Sequence, residues 1–271
     1  SERRSRGRGV GCQYAVGLLT TVLLGELLLR SLGFGQPVLY VTDARFGYYP
    51  APNQHTRRYG GVVTTNQFGM RAPDYTPDKP EGSFRVLMIG DSTLWGGSYV
   101  DQSELYARRV EQSLEPLHAE QRVQVLNIGV NGWGPFNKLG YVRTFGTFGA
   151  DLVIVCLPHW DVARKAHGPE RGVFYDSDSP PHFAIEEILI HYIWKYRVRM
   201  MGRESDASRA WQTQRGIDLY VELSDVLEEE GAEVLVEVLP SRSAGVQGEA
   251  TAREKETVDR LSRAMAARGL S

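Results

Sequence analysis

The sequence predicts an α/β fold built on a parallel sheet and preceded by one membrane-spanning helix. Three observations lead to this prediction. Short apolar runs alternate with segments of helical periodicity over the second two-thirds of the 271 residues. One of these runs, Asp151-Leu-Val-Ile-Val-Cys-Leu157, is almost entirely apolar, which is typical of a strand covered on both faces. A long apolar segment lies near the N-terminus, where it predicts a membrane span.

Composition excludes several classes of protein. Hydrophobic residues make up 42% of the chain and charged residues 24%, which are ordinary globular values. The formal net charge of -2 provides no basic field, so we expect no nucleic-acid partner. The two cysteines, Cys12 and Cys156, cannot form a four-cysteine zinc site or a disulfide framework. The sequence has no His-x-His or His-Glu-x-x-His pattern, and we expect neither a metal nor a cofactor.

The N-terminal segment predicts a basic cytoplasmic tail, residues 1–9, followed by a transmembrane helix, residues 10–32. The tail contains four arginines, and the apolar run that follows is interrupted by Gln13, Glu26 and Arg30. At ~1.5 Å per residue the run reaches ~34 Å, enough to cross a hydrocarbon core of ~30 Å. No small-x-small cleavage site follows, which favours an uncleaved anchor over a signal peptide. The positive-inside rule then predicts an inner-membrane protein with a cytoplasmic N-terminus and a periplasmic domain.

One face of this helix has mostly small residues at every fourth position. We call these residues the stripe: Gln13, Gly17, Thr21 and Gly25. A small-xxx-small stripe lets another helix approach closely, so we expect other transmembrane subunits as partners besides the bilayer. Glu26 is costly in lipid unless it is paired. Two interpretations are open: Glu26 pairs with Arg30 one turn later, or Glu26 and the stripe together face a partner helix.

The remainder of the chain divides into an irregular lead-in, residues 33–82, and an α/β domain, residues 83–271. The lead-in is rich in Gly, Pro, Tyr and Asn and has few helical periods. In the domain, alternating strands and helices imply a doubly wound sheet with right-handed crossovers. The predicted strands are Phe84–Gly90, Val123–Asn127, Asp151–Leu157 and Ala232–Leu239. The predicted helices are Glu104–Leu117, Lys138–Gly149, one within Pro180–Met201, Ala207–Glu230 and Thr251–Arg268.

Candidate functional residues follow the predicted strands, at the edge where open α/β sheets form their sites. The first strand is followed by Gly90-Asp-Ser-Thr93. A serine on such a turn can be exposed, and its backbone N–H can stabilise an oxyanion, although the same residues can also form an ordinary helix cap. The second strand ends in Gly129-Val-Asn-Gly-Trp-Gly134, where glycines permit a ligand to approach the backbone closely.

These two blocks, in this order and spacing, resemble those of the SGNH/GDSL hydrolase family. The resemblance covers Val63–Ser271 and includes Asn66-Gln-Phe-Gly-Met-Arg71, which is similar to the segment before the catalytic strand in membrane-anchored bacterial members. It implies a three-layer, flavodoxin-like fold and hydrolysis of esters or removal or transfer of acetyl groups. It also implies Ser92 as nucleophile and oxyanion donor, Asp91 in support and Gly132 as a second donor.

Two departures from the family pattern bear on catalysis. The third block of the family ends in Gly-x-Asn-Asp, but Pro158-His-Trp-Asp161 stands here, with Trp160 at the Asn position. Loss of one oxyanion donor typically lowers the rate ~10²–10³-fold. The Asp-x-x-His of the last block occurs nowhere before Ser271, nor is the fifth strand found. Either the natural chain continues or the dyad is lost; His159 is the histidine best placed to substitute.

Two functions of different classes follow from the sequence. We favour a non-catalytic subunit, a pseudoenzyme that uses its transmembrane helix and extracytoplasmic domain to assemble into a larger membrane complex. Photosynthetic, respiratory and export complexes are examples of such assemblies. The alternative is an active serine esterase or acetyl-group hydrolase/transferase that acts on extracytoplasmic polysaccharide or lipid esters with Ser92 as nucleophile.

Overall fold

A computed structural model describes residues 2–165, 175–190, 206–239 and 251–268. The helices are α1 (Glu2–Ser31), α2 (Ser92–Trp95), α3 (Tyr106–Leu114), α4 (Pro135–Phe145), α5 (described over 184–190), α6 (Asp206–Glu229) and α7 (Ala252–Ala266). The strands are β1 (Leu39–Asp43), β2 (Gly47–Pro50), β3 (His55–Arg58), β4 (Gly61–Thr64), β5 (Ser83–Gly90), β6 (Arg122–Gly129), β7 (Leu152–Pro158), β8 (Tyr175–Asp176) and β9 (Glu233–Leu239). Short 3-10 turns cover Gln102–Glu104, Glu115–His118 and His159–Ala163.

Four parallel strands form the main sheet in the order β6-β5-β7-β9. The chain begins this sheet at β5, moves outward to β6, and then crosses back to β7 and β9. This reversal is the mark of a doubly wound sheet, so the predicted fold class is confirmed. The crevice at the carboxyl ends of β5 and β7 is the switch point where such sheets bind ligands.

Alternate residues of the central strand face two separate cores. Leu87 and Ile89 are fully buried in the larger core, which residues of α4, α6 and α7 complete. Val86 and Met88 are fully buried in the smaller core, against α3. Because successive side chains of a strand point to opposite faces, this pattern requires a cover on both sides of the sheet. The resulting helix–sheet–helix layers agree with the predicted three-layer fold.

The predicted strands and helices are present, with shifted ends. The largest shift is in α4, which begins at Pro135 and ends at Phe145 instead of covering Lys138–Gly149. Proline is favoured in the first helical turn, and Gly146, with φ 73°, ends the helix. The helix expected within Pro180–Met201 is described over 184–190, and 191–205 lie outside the described residues.

The lead-in is more ordered than the sequence predicts. Residues 33–82 contain four short strands: β1 pairs with β2 and with β8, and β3 pairs with β4. Phe46 and Tyr48 of this segment are buried in the larger core with Trp133 and Tyr141. The prediction of an irregular segment was wrong because these aromatic side chains are buried by distant residues, and a Gly- and Pro-rich local pattern does not reveal such contacts.

Helix α1 is exposed and apolar over Gln13–Ser31. Gln13–Ser31 is long and apolar enough to cross a membrane, and it is the one such helix in the part of the chain that the structure describes. Only 6% of this segment is buried, unlike the core helix of a globular domain. The helix begins at Glu2, so residues 2–9, predicted as a tail, continue the same helix.

Candidate functional site

Ser92 begins the short helix α2 directly after β5. Asp91 caps this helix, and its Oδ1 accepts a hydrogen bond of 2.8 Å from the backbone N–H of Thr93. Ser92 is exposed, and its Oγ has no hydrogen-bond partner among the described residues. The turn therefore shows both features that the sequence suggests, an ordinary helix cap at Asp91 and an accessible serine beside it.

The glycine-rich turn after β6 packs directly against α2. Gly90 and Gly129 are register partners at the ends of β5 and β6, so this turn and Ser92 lie at one edge of the sheet. A Cβ on Gly129 would lie 2.4 Å from the backbone N of Trp95, which excludes any larger residue without a backbone shift. Gly132 is half-buried with φ 79°, in the left-handed region that favours glycine.

A buried charged network underlies the end of β7. Asp161 is fully buried and forms an ion pair with Lys138, which is also fully buried. The Tyr220 hydroxyl donates a 2.7 Å hydrogen bond to Asp161 Oδ2 and accepts one of 2.8 Å from Lys138 Nζ. Burial raises the pKa of Tyr220 well above its ordinary value, and Asp161 adds to this effect. The hydroxyl therefore stays protonated and available as a donor.

Arg164 connects this network to the Ser92 turn. Its Nε lies 3.0 Å from Oδ1 of Asp161, and its Nη2 lies 3.2 Å from Oδ2 of Asp91. The two acidic residues at the ends of β5 and β7 are thus bound by one guanidinium group. Both carboxylates are almost fully buried, so their interactions serve the fold at this edge of the sheet.

His159 contacts α7. Its Nδ1 lies 3.1 Å from Oε1 of Glu254, and its ring packs edge-on against Trp160 with 4.9 Å between centroids. Glu254 also accepts a 2.7 Å hydrogen bond from the backbone N–H of Thr251, which it joins in a capping box. Within the described residues, no hydrogen bond joins His159 to Ser92. The histidine predicted as a substitute base is therefore engaged by a carboxylate of the last described helix.

The third block keeps an acidic residue but lacks the expected amide. Trp160 stands at the Asn position, and it is 45% exposed. The adjacent Asp161 points into the buried network. Sequence reasoning missed Lys138, Arg164 and Glu254 as residues of this region. A signal for Lys138 exists, because it stands directly before Leu139, Tyr141 and Val142, and a lysine is unusual on a buried helix face.

Glu26 binds a helix of its own chain. Its Oε1 accepts hydrogen bonds from Arg30 Nε at 2.7 Å and from the backbone N–H of Ala184 at 2.8 Å. The Arg30 pair is the first of the two open interpretations. The start of α5 also binds this carboxylate, and a partner helix facing Glu26 stays a prediction. The stripe stays a prediction: a Cβ on Gly17 or Gly25 would meet nothing within 4 Å.

Comparisons with known proteins find similarity among solved structures. No protein-family model and no curated protein matches the sequence. TesA is 15% identical, with 69% of this chain and 76% of that chain covered and a TM-score of 0.42. A lipase/acylhydrolase from Enterococcus faecalis is 16% identical, with coverage of 69% and 73% and a TM-score of 0.39. AlinE4, an SGNH-hydrolase family esterase, is 19% identical, with coverage of 71% and 100% and a TM-score of 0.31.

The chain is similar to these three solved structures at identities of 15–19%. Along the chain, Ser92 follows the first strand of the main sheet, Gly132 follows the second and His159 follows the third. Among the described residues, no group of three or more His, Cys, Asp or Glu side chains could hold a metal ion.

Proposed function

We propose that this membrane-anchored, SGNH-fold protein is a non-catalytic subunit of a larger membrane complex. One observation carries the proposal: the side chains at the strand ends, where a hydrolase needs groups for its substrate, are engaged within the fold. Asp91 and Asp161 both bind Arg164, Asp161 also pairs with Lys138, and His159 contacts Glu254. Among the described residues, none is hydrogen-bonded to Ser92 Oγ as a general base would be, and an unactivated serine is a poor nucleophile.

The proposed placement is the inner membrane, with a cytoplasmic N-terminus and a periplasmic domain. The exposed apolar segment Gln13–Ser31 and the four arginines within residues 1–9 support this orientation. Partners would be other transmembrane subunits that pack on the stripe, because small residues let helix backbones approach closely. Gly17 and Gly25 leave this face open.

The second candidate function is an extracytoplasmic esterase or acetyl-group hydrolase/transferase. The accessible Ser92 at the start of α2 favours it, and so does the contact of His159 with Glu254, since a base held by a carboxylate is the usual partner of a serine nucleophile. This function would require the His159 ring to reach Ser92, and the polysaccharide or lipid ester would bind at the β5–β7 crevice.

A fluorophosphonate serine probe separates the two functions in full-length protein within its native membrane. We expect the probe to label neither the wild type nor the Ser92→Ala variant. Labelling that disappears in Ser92→Ala and falls in His159→Gln would instead establish the esterase. Intact mass measured on the same sample would reveal any natural chain beyond Ser271.

A second experiment tests the subunit role directly. Purified in mild detergent, the wild-type chain should elute at fixed stoichiometry with transmembrane partners. Gly17→Leu would place a large side chain on the stripe and should release these partners. Leu19→Phe changes an exposed position on the opposite side of α1 from the stripe and serves as the matched control. Elution of wild type as a single chain, or equal behaviour of the two variants, would contradict the proposal.

A further inference from the structure

We propose that α5 is a second membrane-embedded element, which lies in the outer leaflet beside α1 and places Phe183, Leu189 and Ile190 in contact with lipid acyl chains. This inference rests on the proposed transmembrane placement of α1. It adds a lipid-binding surface, formed by residues of the α/β domain, to a chain that the sequence predicts to be anchored by one helix.

Helix α5 follows α1 in the opposite direction, from the outer end of α1 toward its middle. Arg30 Nη2 donates a 2.8 Å hydrogen bond to the carbonyl of His182, and one turn earlier Glu26 accepts from Ala184. A cleft of about 450 Å³ then separates Val22 and Leu23 of α1 from the end of α5. On the side of α5 it is lined by Leu189 and Ile190.

The position of this cleft along α1 places α5 below the membrane surface. Gln13–Ser31 contains 19 residues. At ~1.5 Å per residue it measures ~28 Å, and the longer run of residues 10–32 measures ~34 Å, so a helix that spans the ~30 Å hydrocarbon core leaves at most ~4 Å of this run outside the core. Leu23 lies eight residues before Ser31, which is ~12 Å deeper along the helix. The residues of α5 that line this cleft opposite Leu23 therefore lie at the level of the outer leaflet.

The backbone N–H groups at the start of α5 have hydrogen-bond partners, as a location in lipid requires. The first N–H groups of a helix have no partner within the helix, and an unpaired N–H in hydrocarbon is costly. Glu26 accepts hydrogen bonds from the N–H groups of Ala184 and Ile185. Glu186 accepts from those of His182, at 2.8 Å, and Phe183, at 3.4 Å. Arg30 in turn neutralises Glu26, so that the polar groups at this depth have partners.

The inner side of α5 is fixed to the lead-in. Glu187 is buried, pairs with Arg58 at 2.5 Å and accepts a 2.6 Å hydrogen bond from the N–H of Gly35. Ala184 is fully buried against the same glycine. Because α5 cannot rotate without breaking this buried pair, its outward residues keep their direction. Those residues are large, apolar and exposed: Phe183 at 60%, Leu189 at 56% and Ile190 at 41%.

Nitroxide labels on matched leucine positions test the inference in the full chain, reconstituted alone in phosphatidylcholine–phosphatidylglycerol vesicles. The background is Cys12→Ser with Cys156→Ala, and the labelled variants are Leu189→Cys, Leu18→Cys and Leu117→Cys. All three leucines are exposed, at 56%, 68% and 77%, but Leu18 lies in α1 and Leu117 lies on the α/β domain. Collisions with oxygen, which concentrates in lipid, are compared with collisions with a water-soluble nickel chelate.

The inference expects the oxygen-to-nickel collision ratio at position 189 to be severalfold above that at 117 and close to that at 18. If the collision ratio at position 189 equals that at 117, while the ratio at 18 is as high as expected in lipid, this inference is overturned. The transmembrane anchor then remains intact. Water-like ratios at both 18 and 189 would refute the anchor itself. Low collisions with both reagents at 189 would mean that protein covers the surface, such as a second copy of this chain, and would also overturn the lipid assignment.

Discussion

Replacement of Lys138 by methionine tests whether the buried network holds the edge of the sheet. Lys138 and Asp161 are both fully buried, and Tyr220 is hydrogen-bonded to each of them. Removal of one partner from a buried ion pair typically lowers the free energy of unfolding by ~3–5 kcal/mol, because the other charge stays buried. Arg164 remains 3.0 Å from Asp161 in this variant. We therefore expect a loss near ~3 kcal/mol, a large share of the ~5–15 kcal/mol of a folded domain.

The assay is denaturant unfolding of the full chain in detergent, followed by circular dichroism. Arg143→Met is the matched control in the same helix, where Arg143 pairs with Glu222 at 2.5 Å but both side chains are exposed. That pair should contribute only ~0–1 kcal/mol. The double variant Lys138→Met/Asp161→Asn should regain part of the loss, because it leaves no unpaired carboxylate. A Lys138→Met variant as stable as Arg143→Met would refute the reasoning.

Two further predictions concern packing and a buried thiol. Gly216→Ala should destabilise the fold by ~1–3 kcal/mol, because a Cβ there would lie 1.7 Å from the carbonyl oxygen of Val162. Gly25→Ala is the control: a Cβ at Gly25 would meet nothing within 4 Å, so the melting temperature should be unchanged. Burial, and then Glu237, raises the pKa of Cys156 from 9.0 to about 12. A Cys12→Ser variant should thus react with Ellman's reagent at pH 8 much faster denatured than folded. The contribution of Cys156 to stability should be complete below pH ~9 and should decline as the pH rises toward 12. Both expectations depend on burial of the thiol, so fast labelling of the folded protein would contradict them.

The sequence by itself determines the α/β layers, the long apolar N-terminal helix and the position of the serine turn. Buried strands such as β5 and β7 need apolar residues on both faces, so their runs of Val, Leu and Ile identify them without a partner strand. The length and apolar composition of α1 predict a span directly. Ser92 is placed by local chemistry as well, since Gly90 and Asp91 specify a tight turn and a helix cap.

Only the tertiary structure decided which groups the candidate residues contact. Glu26 meets Ala184, which lies 158 residues later, and His159 meets Glu254 of α7. The lead-in strands are stabilised by burial of Phe46 against α4, and no local pattern encodes that contact. Periodicity reports whether a side chain is buried, but the path of the chain determines its partner. For this reason a local motif is enough to place Ser92 at the crevice. The general base and the amide donor that a serine nucleophile needs, and the charged network of Asp161, depend on the fold as a whole.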